Sequence, residues 1–173
     1  MTKKICFLML TIALCLAFNS SAFAQADKGD KELLLSGDVT TFTGGGASFT
    51  QGTASGSIGY YFSKSLELIG GTSLSLSQGD SGGTSVDAGL NGAFRYNFSS
   101  SGKKAVPYVG FEYFMNSVRD PKDSSFIRPN GGFKYYFKRN VAIDVNGGWG
   151  RNAFASGPKF NVINERIGIV FVF

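Results

Sequence analysis

The sequence predicts an all-β chain folded as an eight-stranded antiparallel up-and-down transmembrane β-barrel. Three observations carry this reading. Hydrophobic residues make up 43% of the 173 positions and charged residues 17%, below the roughly 25% charged of an ordinary soluble domain. Yet mean hydropathy is only +0.02, so the apolar residues are spread out rather than gathered into helical membrane spans. From Glu32 onward apolar and polar residues alternate with period two, and the breaks fall at Gly, Ser and Asn. Aromatic residues, 14% of the chain, collect toward the ends of the alternating segments.

Residues 1–24 read as a cleaved signal peptide. Lys3 and Lys4 supply the positive region, Ile5 to Phe18 the apolar run, and Ala22-Phe23-Ala24 the small-x-small pattern before Gln25. That run is shorter than the about 20 residues of a spanning helix. Leu14, ahead of Cys15, is too large for a lipoprotein processing site. Cleavage removes both cysteines, Cys6 and Cys15, so the mature chain forms no disulfide. Losing Lys3 and Lys4 takes the 17 basic residues to 15 against 12 acidic ones, a net charge of +3. So small a surplus on an exported chain gives no reason to expect a nucleic-acid partner.

Residues 25–31 are polar and aperiodic, and are expected to form a flexible leader to a barrel spanning 32–173. The strands are expected at 32–43, 47–62, 65–78, 83–98, 105–119, 125–138, 140–152 and 160–173. The clearest alternation is Leu66, Leu68, Leu74 and Leu76 against Glu67, Ser73, Ser75 and Ser77. Val86, Ala88, Leu90, Phe94, Tyr96 and Phe98 repeat it, as do Val109, Phe111 and Tyr113, then Phe133, Tyr135 and Phe137. Val141, Ile143 and Val145 follow, and Ile167, Ile169, Phe171 and Phe173 end the series. Ser63-Lys64 and Lys138-Arg139 are tight polar turns, whereas Gly44–Gly46, Gln78–Gly82, Asp120–Ser124 and Ala153–Pro158 are looser.

Which face points inward follows from composition. The polar face carries Asp38, Glu67, Asp87, Glu112 and Asp144 with Arg95, Lys134 and Arg166, among Asn, Ser and Gly. A solvated sheet face is richer in Lys, Glu and Thr. Small residues with a few mixed charges suit a narrow lumen, where each charge needs a partner from another strand. The apolar face then meets lipid. Tyr60, Phe62, Tyr96, Phe98, Tyr135, Phe137, Phe171 and Phe173, with Tyr61, Tyr108 and Tyr136, lie beside the tight turns or the chain end. Trp149, with Phe42, Phe49, Phe114, Phe126, Phe154 and Phe160, lies toward the other end. Two such rows match the aromatic girdles of a membrane barrel.

The segments GYYFSKSLELIGG (59–71), PYVGFEYF (107–114) and GGFKYYFKRNVAIDV (131–145), with the ending RIGIVFVF, resemble the OmpA-like and OmpX-like family of small eight-stranded outer-membrane barrels. The resemblance covers the mature chain. It implies a monomer in the bacterial outer membrane, in contact with membrane lipid and lipopolysaccharide, with tight turns and termini in the periplasm and looser connections outside. It also implies that terminal Phe173 is an assembly signal read by the barrel assembly machinery. No periplasmic domain is expected after Phe173.

The sequence contains no histidine, which removes the usual base of envelope lipases, acyltransferases and proteases. Glu67 and Lys134 fall at mid-strand lumen positions, better suited to a plug than to catalysis. Asp80, Asp120 and Asp123 lack the spacing of a calcium loop. No catalytic residue, cofactor or metal is therefore expected. The expected function is a structural or interaction role at the cell envelope, with the interior filled by a charged network. The alternative is a narrow channel or carrier for small solutes.

Overall fold

A computed structural model describes residues 26–44, 47–78, 84–98, 104–119, 124–152 and 161–173. Residues 1–24, with the expected signal peptide, lie outside these, as do Phe154, Phe160 and most of the looser connections. Eight strands follow in chain order: β1 Lys31–Gly44, β2 Ala47–Tyr61, β3 Leu66–Gln78, β4 Thr84–Asn97, β5 Ala105–Met115, β6 Ser125–Lys138, β7 Val141–Asn152 and β8 Asn161–Val172. Each pairs antiparallel with the next, and β8 closes onto β1. Closure leaves no sheet edge running the length of the barrel, which lipid requires of any spanning sheet.

The registers fix its geometry. A row followed from Leu33 through Ile58, Gly70, Gly92, Tyr113, Ile127, Arg151 and Asn161 returns to β1 at Thr43, ten residues further along. Eight strands with that stagger tilt by about 40° and leave an interior only wide enough for side chains. At that tilt each residue climbs about 2.5 Å, so strands of 11 to 15 residues clear an apolar band of about 25 Å.

Burial alternates strictly where the sequence alternates, most cleanly along β8. The outward positions hold Leu35, Val39, Ile58, Leu68, Leu74, Leu76, Leu90, Phe94, Val109, Phe111, Ile143, Ile167 and Ile169, all exposed. A continuous belt of large apolar side chains is not tolerated on a water-soluble monomer and is suited to lipid. Glu165 stands on this face between Ile163 and Ile167 as an exposed carboxylate.

Two expectations change. Residues 26–30, read as part of a flexible leader, form a turn packed against the barrel end. Gly29, at φ 93° where only glycine is unstrained, donates its N–H to the Tyr61 carbonyl at 2.8 Å. Ala26 is buried beside Leu34 and Val172. The strand expected to run to residue 119 ends at Met115, where the chain bends at Asn116, although the Asn116 N–H still donates to the Ser124 carbonyl and the Val118 N–H to the Ala88 carbonyl of β4, each at 3.0 Å.

The orientation is testable at Ile167, midway along β8. Ile167→Lys should cost about 2–4 kcal/mol of folding stability in lipid vesicles, measured by urea unfolding. A soluble barrel would lose within about 0.5 kcal/mol at so exposed a site.

Candidate functional site

The inward faces build one continuous feature, a filled lumen, and its side chains form three polar layers between two apolar ends. At the turn-rich end, Leu34, Tyr61, Val106, Tyr136, Ala142, Val170 and Val172 pack with Ala26. At the other end Phe42, Phe114, Phe126 and Val162 form a cap. Phe114 stacks on Phe126 at 5.1 Å, and Phe42 meets Phe126 edge-on at 5.2 Å.

The innermost layer centres on Lys134 of β6. Its Nζ lies 2.5 Å from Glu32 Oε2, 2.6 Å from the Tyr61 hydroxyl and 2.9 Å from Glu67 Oε2. The three ammonium protons therefore have three acceptors. Tyr61 donates to Glu32 at 2.8 Å, and Asn97 donates to Glu67 at 3.2 Å. Gly59 makes room for this cluster, since a Cβ there would stand 2.6 Å from Glu32 Cγ.

In the middle layer Arg95 of β4 crosses the lumen to Asp144 of β7 at 3.0 Å. Tyr108 donates to the second Asp144 oxygen at 2.6 Å and accepts from Asn146 at 2.9 Å. The Arg95 guanidinium also sits 4.4 Å from the centre of the Tyr108 ring, a stacking contact that lysine would not reproduce.

The outer layer gathers two cations on one carboxylate. Arg166 approaches Glu112 with both terminal nitrogens, at 3.1 and 2.8 Å. Arg128 adds bonds of 3.2 and 2.7 Å, and Asn130 one of 3.0 Å. Asp38 meets Thr40 and Asn164 donors, each at 3.0 Å, rather than a cation. Beside the Phe cap, toward β2–β4, a polar cavity of about 20 Å³ remains, lined in part by Thr53, Ser73 and Asn91. That is room for a water or two.

The eight charged residues read from the sequence as lumen-facing thus lie as follows. Glu67, Arg95, Glu112, Lys134, Asp144 and Arg166 are buried and ion-paired. Asp38 is half-buried, and Asp87 sits at the outer rim, accepting from Ser117 at 3.2 Å. Sequence reasoning missed Glu32 and Arg128, both buried in ion pairs. Arg128 shares the parity of Lys134 on β6, so the alternation itself would have found it. Glu32 was hidden by the apolar run Leu33–Leu35, in which Leu34 points inward.

Tyr60, Phe62, Tyr96, Phe98, Phe137, Trp149, Phe171 and Phe173 point outward and are exposed, and Tyr135 is half-exposed. Tyr61, Tyr108 and Tyr136, and likewise Phe42, Phe114 and Phe126, point into the lumen. The aromatic rows at the two ends are therefore each divided between lipid and plug, because neighbouring positions on a strand face opposite ways.

No family model and no curated protein matches the chain. Solved structures do. Neisserial surface protein A superposes with a TM-score of 0.64 at 13% identity, over 83% of this chain and 99% of that one. The attachment invasion locus protein Ail of Yersinia pestis gives 0.51 at 11%, over 84% and 99%. The N-terminal β-barrel domain of Pseudomonas aeruginosa OprF gives 0.50 at 17%, over 86% and 100%. At such identities the likeness speaks for the fold, and it agrees with the closed topology, the apolar belt and the polar interior. The chain has the fold of the small eight-stranded β-barrels of bacterial outer membranes, the OmpA-like and OmpX-like architecture.

Proposed function

We propose that the mature chain resides in the outer membrane as a monomeric, non-conducting barrel. Its role is structural or interactive, exercised through its outer rim and its lipid- and lipopolysaccharide-facing belt. The observation that carries this reading is the filled lumen. Three cross-linked polar layers fill it, apolar side chains pack across the turn-rich end and over the β1, β5, β6 and β8 side of the other, and the polar cavity beside them measures about 20 Å³. The charged side chains of these layers are engaged with one another or with amide and hydroxyl groups, which favours a plug over a catalytic or transport site. Residues 1–24 would direct export and Phe173 would serve assembly.

Planar-bilayer recording of the refolded protein tests the reading. A silent membrane is expected, and steady single-channel currents would replace the plug by the channel alternative.

The plug should also be stiff. Glu112→Ala would leave the Arg128 and Arg166 guanidinium groups buried without their shared carboxylate. Removing one partner of a buried ion pair costs about 3–5 kcal/mol, which urea unfolding in lipid vesicles would show as an earlier midpoint. An unchanged midpoint would mean that water already reaches the outer layer.

A further inference from the structure

The polar layers are not equally balanced. In the outer layer Glu112 and Asp38 stand with Arg128 and Arg166. Deeper in, Glu32, Glu67 and Asp144 share the space with only two cations, Lys134 and Arg95, and all five side chains are essentially inaccessible. Among the described residues this leaves one excess negative charge in a dry interior, where an unpaired charge is normally neutralised.

Hydrogen bonding points to the same place. The donors around the Glu32–Lys134–Glu67 cluster converge on the Oε2 atoms of the two carboxyls. Glu32 Oε1 and Glu67 Oε1 are buried and have no partner. The two carboxyl groups converge on one spot, since both reach Lys134 Nζ through their Oε2 atoms, at 2.5 and 2.9 Å, and both pack against Gly59. Two ionised carboxylates cannot satisfy one another because both only accept. One proton between them would satisfy both groups and cancel the excess charge. A bound cation would need space, but Gly59 already packs against the pair, and a Cβ there would stand 2.8 Å from Glu67 Oε1.

From the charge count and the two unpartnered oxygens, we infer that Glu32 and Glu67 share one proton in the folded barrel at neutral pH. The site is a buried carboxyl–carboxylate pair. Around it stand Tyr61 from β2, Arg95 and Asn97 from β4, Tyr108 from β5, Lys134 and Tyr136 from β6, and Asp144 from β7, while β8 contributes only apolar side chains. The inference rests on the sealed lumen proposed above. An open lumen would announce itself as bilayer current, whereas an absent proton would leave a silent barrel with two ionised carboxylates.

Infrared spectroscopy of the full mature protein in lipid vesicles at neutral pH gives the direct test. The wild-type barrel should show the C=O stretch of a protonated carboxyl group, and both Glu32→Gln and Glu67→Gln should lose it. Absence of the band in the folded wild type, or its persistence in both variants, would overturn the inference.

Urea unfolding against pH supplies a second readout. The native barrel holds a proton that the unfolded chain releases above the ordinary carboxylate range. The folded-to-unfolded ratio should therefore fall by an extra factor of about ten per pH unit until the pair ionises. Glu32→Gln, which supplies an amide donor in place of the proton, should lack that factor. Equal slopes in wild type and variant would contradict the shared proton. If Glu32→Gln does not fold, the wild-type band and Glu67→Gln decide.

Discussion

An eight-stranded barrel in lipid has its polar residues facing a space too narrow for bulk water. Each charge placed there must find its compensation among the other side chains, and most of the structure follows from that requirement. Opposite charges stand in register on neighbouring strands at Glu67 and Arg95, Glu112 and Arg128, Lys134 and Asp144, and Asp38 and Arg166. Only Glu112 and Arg128 close their ion pair along the sheet. The other cations reach across the lumen, Arg95 to Asp144, Lys134 to Glu32 and Glu67, and Arg166 to Glu112. Such bridges tie β1, β3, β4, β5, β6, β7 and β8 together through the interior, in addition to the hydrogen-bonded wall.

The same narrowness explains the small residues. With a ten-residue stagger the lumen admits long side chains from only some positions at each level, so others must withdraw. Gly59 opposite Glu32 and Glu67 is one such place, and the serines of β2 and β3 serve the same end near the outer layer. Replacing the whole network by apolar residues could leave the barrel equally stable, since buried ion pairs seldom exceed a well-packed core in stability. What the charges add is uniqueness of pairing. A one-residue slip on any strand would carry its charges into lipid and its leucines into the lumen.

Much of this was legible in the sequence because the side-chain period of a strand is two. Alternation identified the strands, and the mixed, sparse charges on one face identified it as the interior. Parity assigned Asp38, Glu67, Arg95, Glu112, Lys134, Asp144 and Arg166 to the lumen. It failed where a strand's inward face changes character near its end. Leu34 and Val170 point inward because the lumen is capped there by apolar packing, and that local reversal concealed Glu32. The aromatic rows split along the same rule: position along a strand sets a ring's height, and parity decides whether it meets lipid, as at Tyr60 and Phe137, or the plug, as at Tyr61 and Tyr136. Which cation meets which carboxylate was not readable, because side chains crossing the lumen depend on barrel stagger rather than on sequence spacing.

The central claim is that the charges of the interior compensate one another across a filled lumen, and that its inner layer, around Lys134, is sealed from water. Solid-state NMR on Lys134 in lipid bilayers would address it most directly, by recording the contacts of its side-chain nitrogen and the exchange of its protons with deuterated solvent. The structure requires cross-peaks from Nζ to the Glu32 and Glu67 carboxyl carbons, with ammonium protons protected from exchange. Rapid exchange and contacts to water in their place would contradict it.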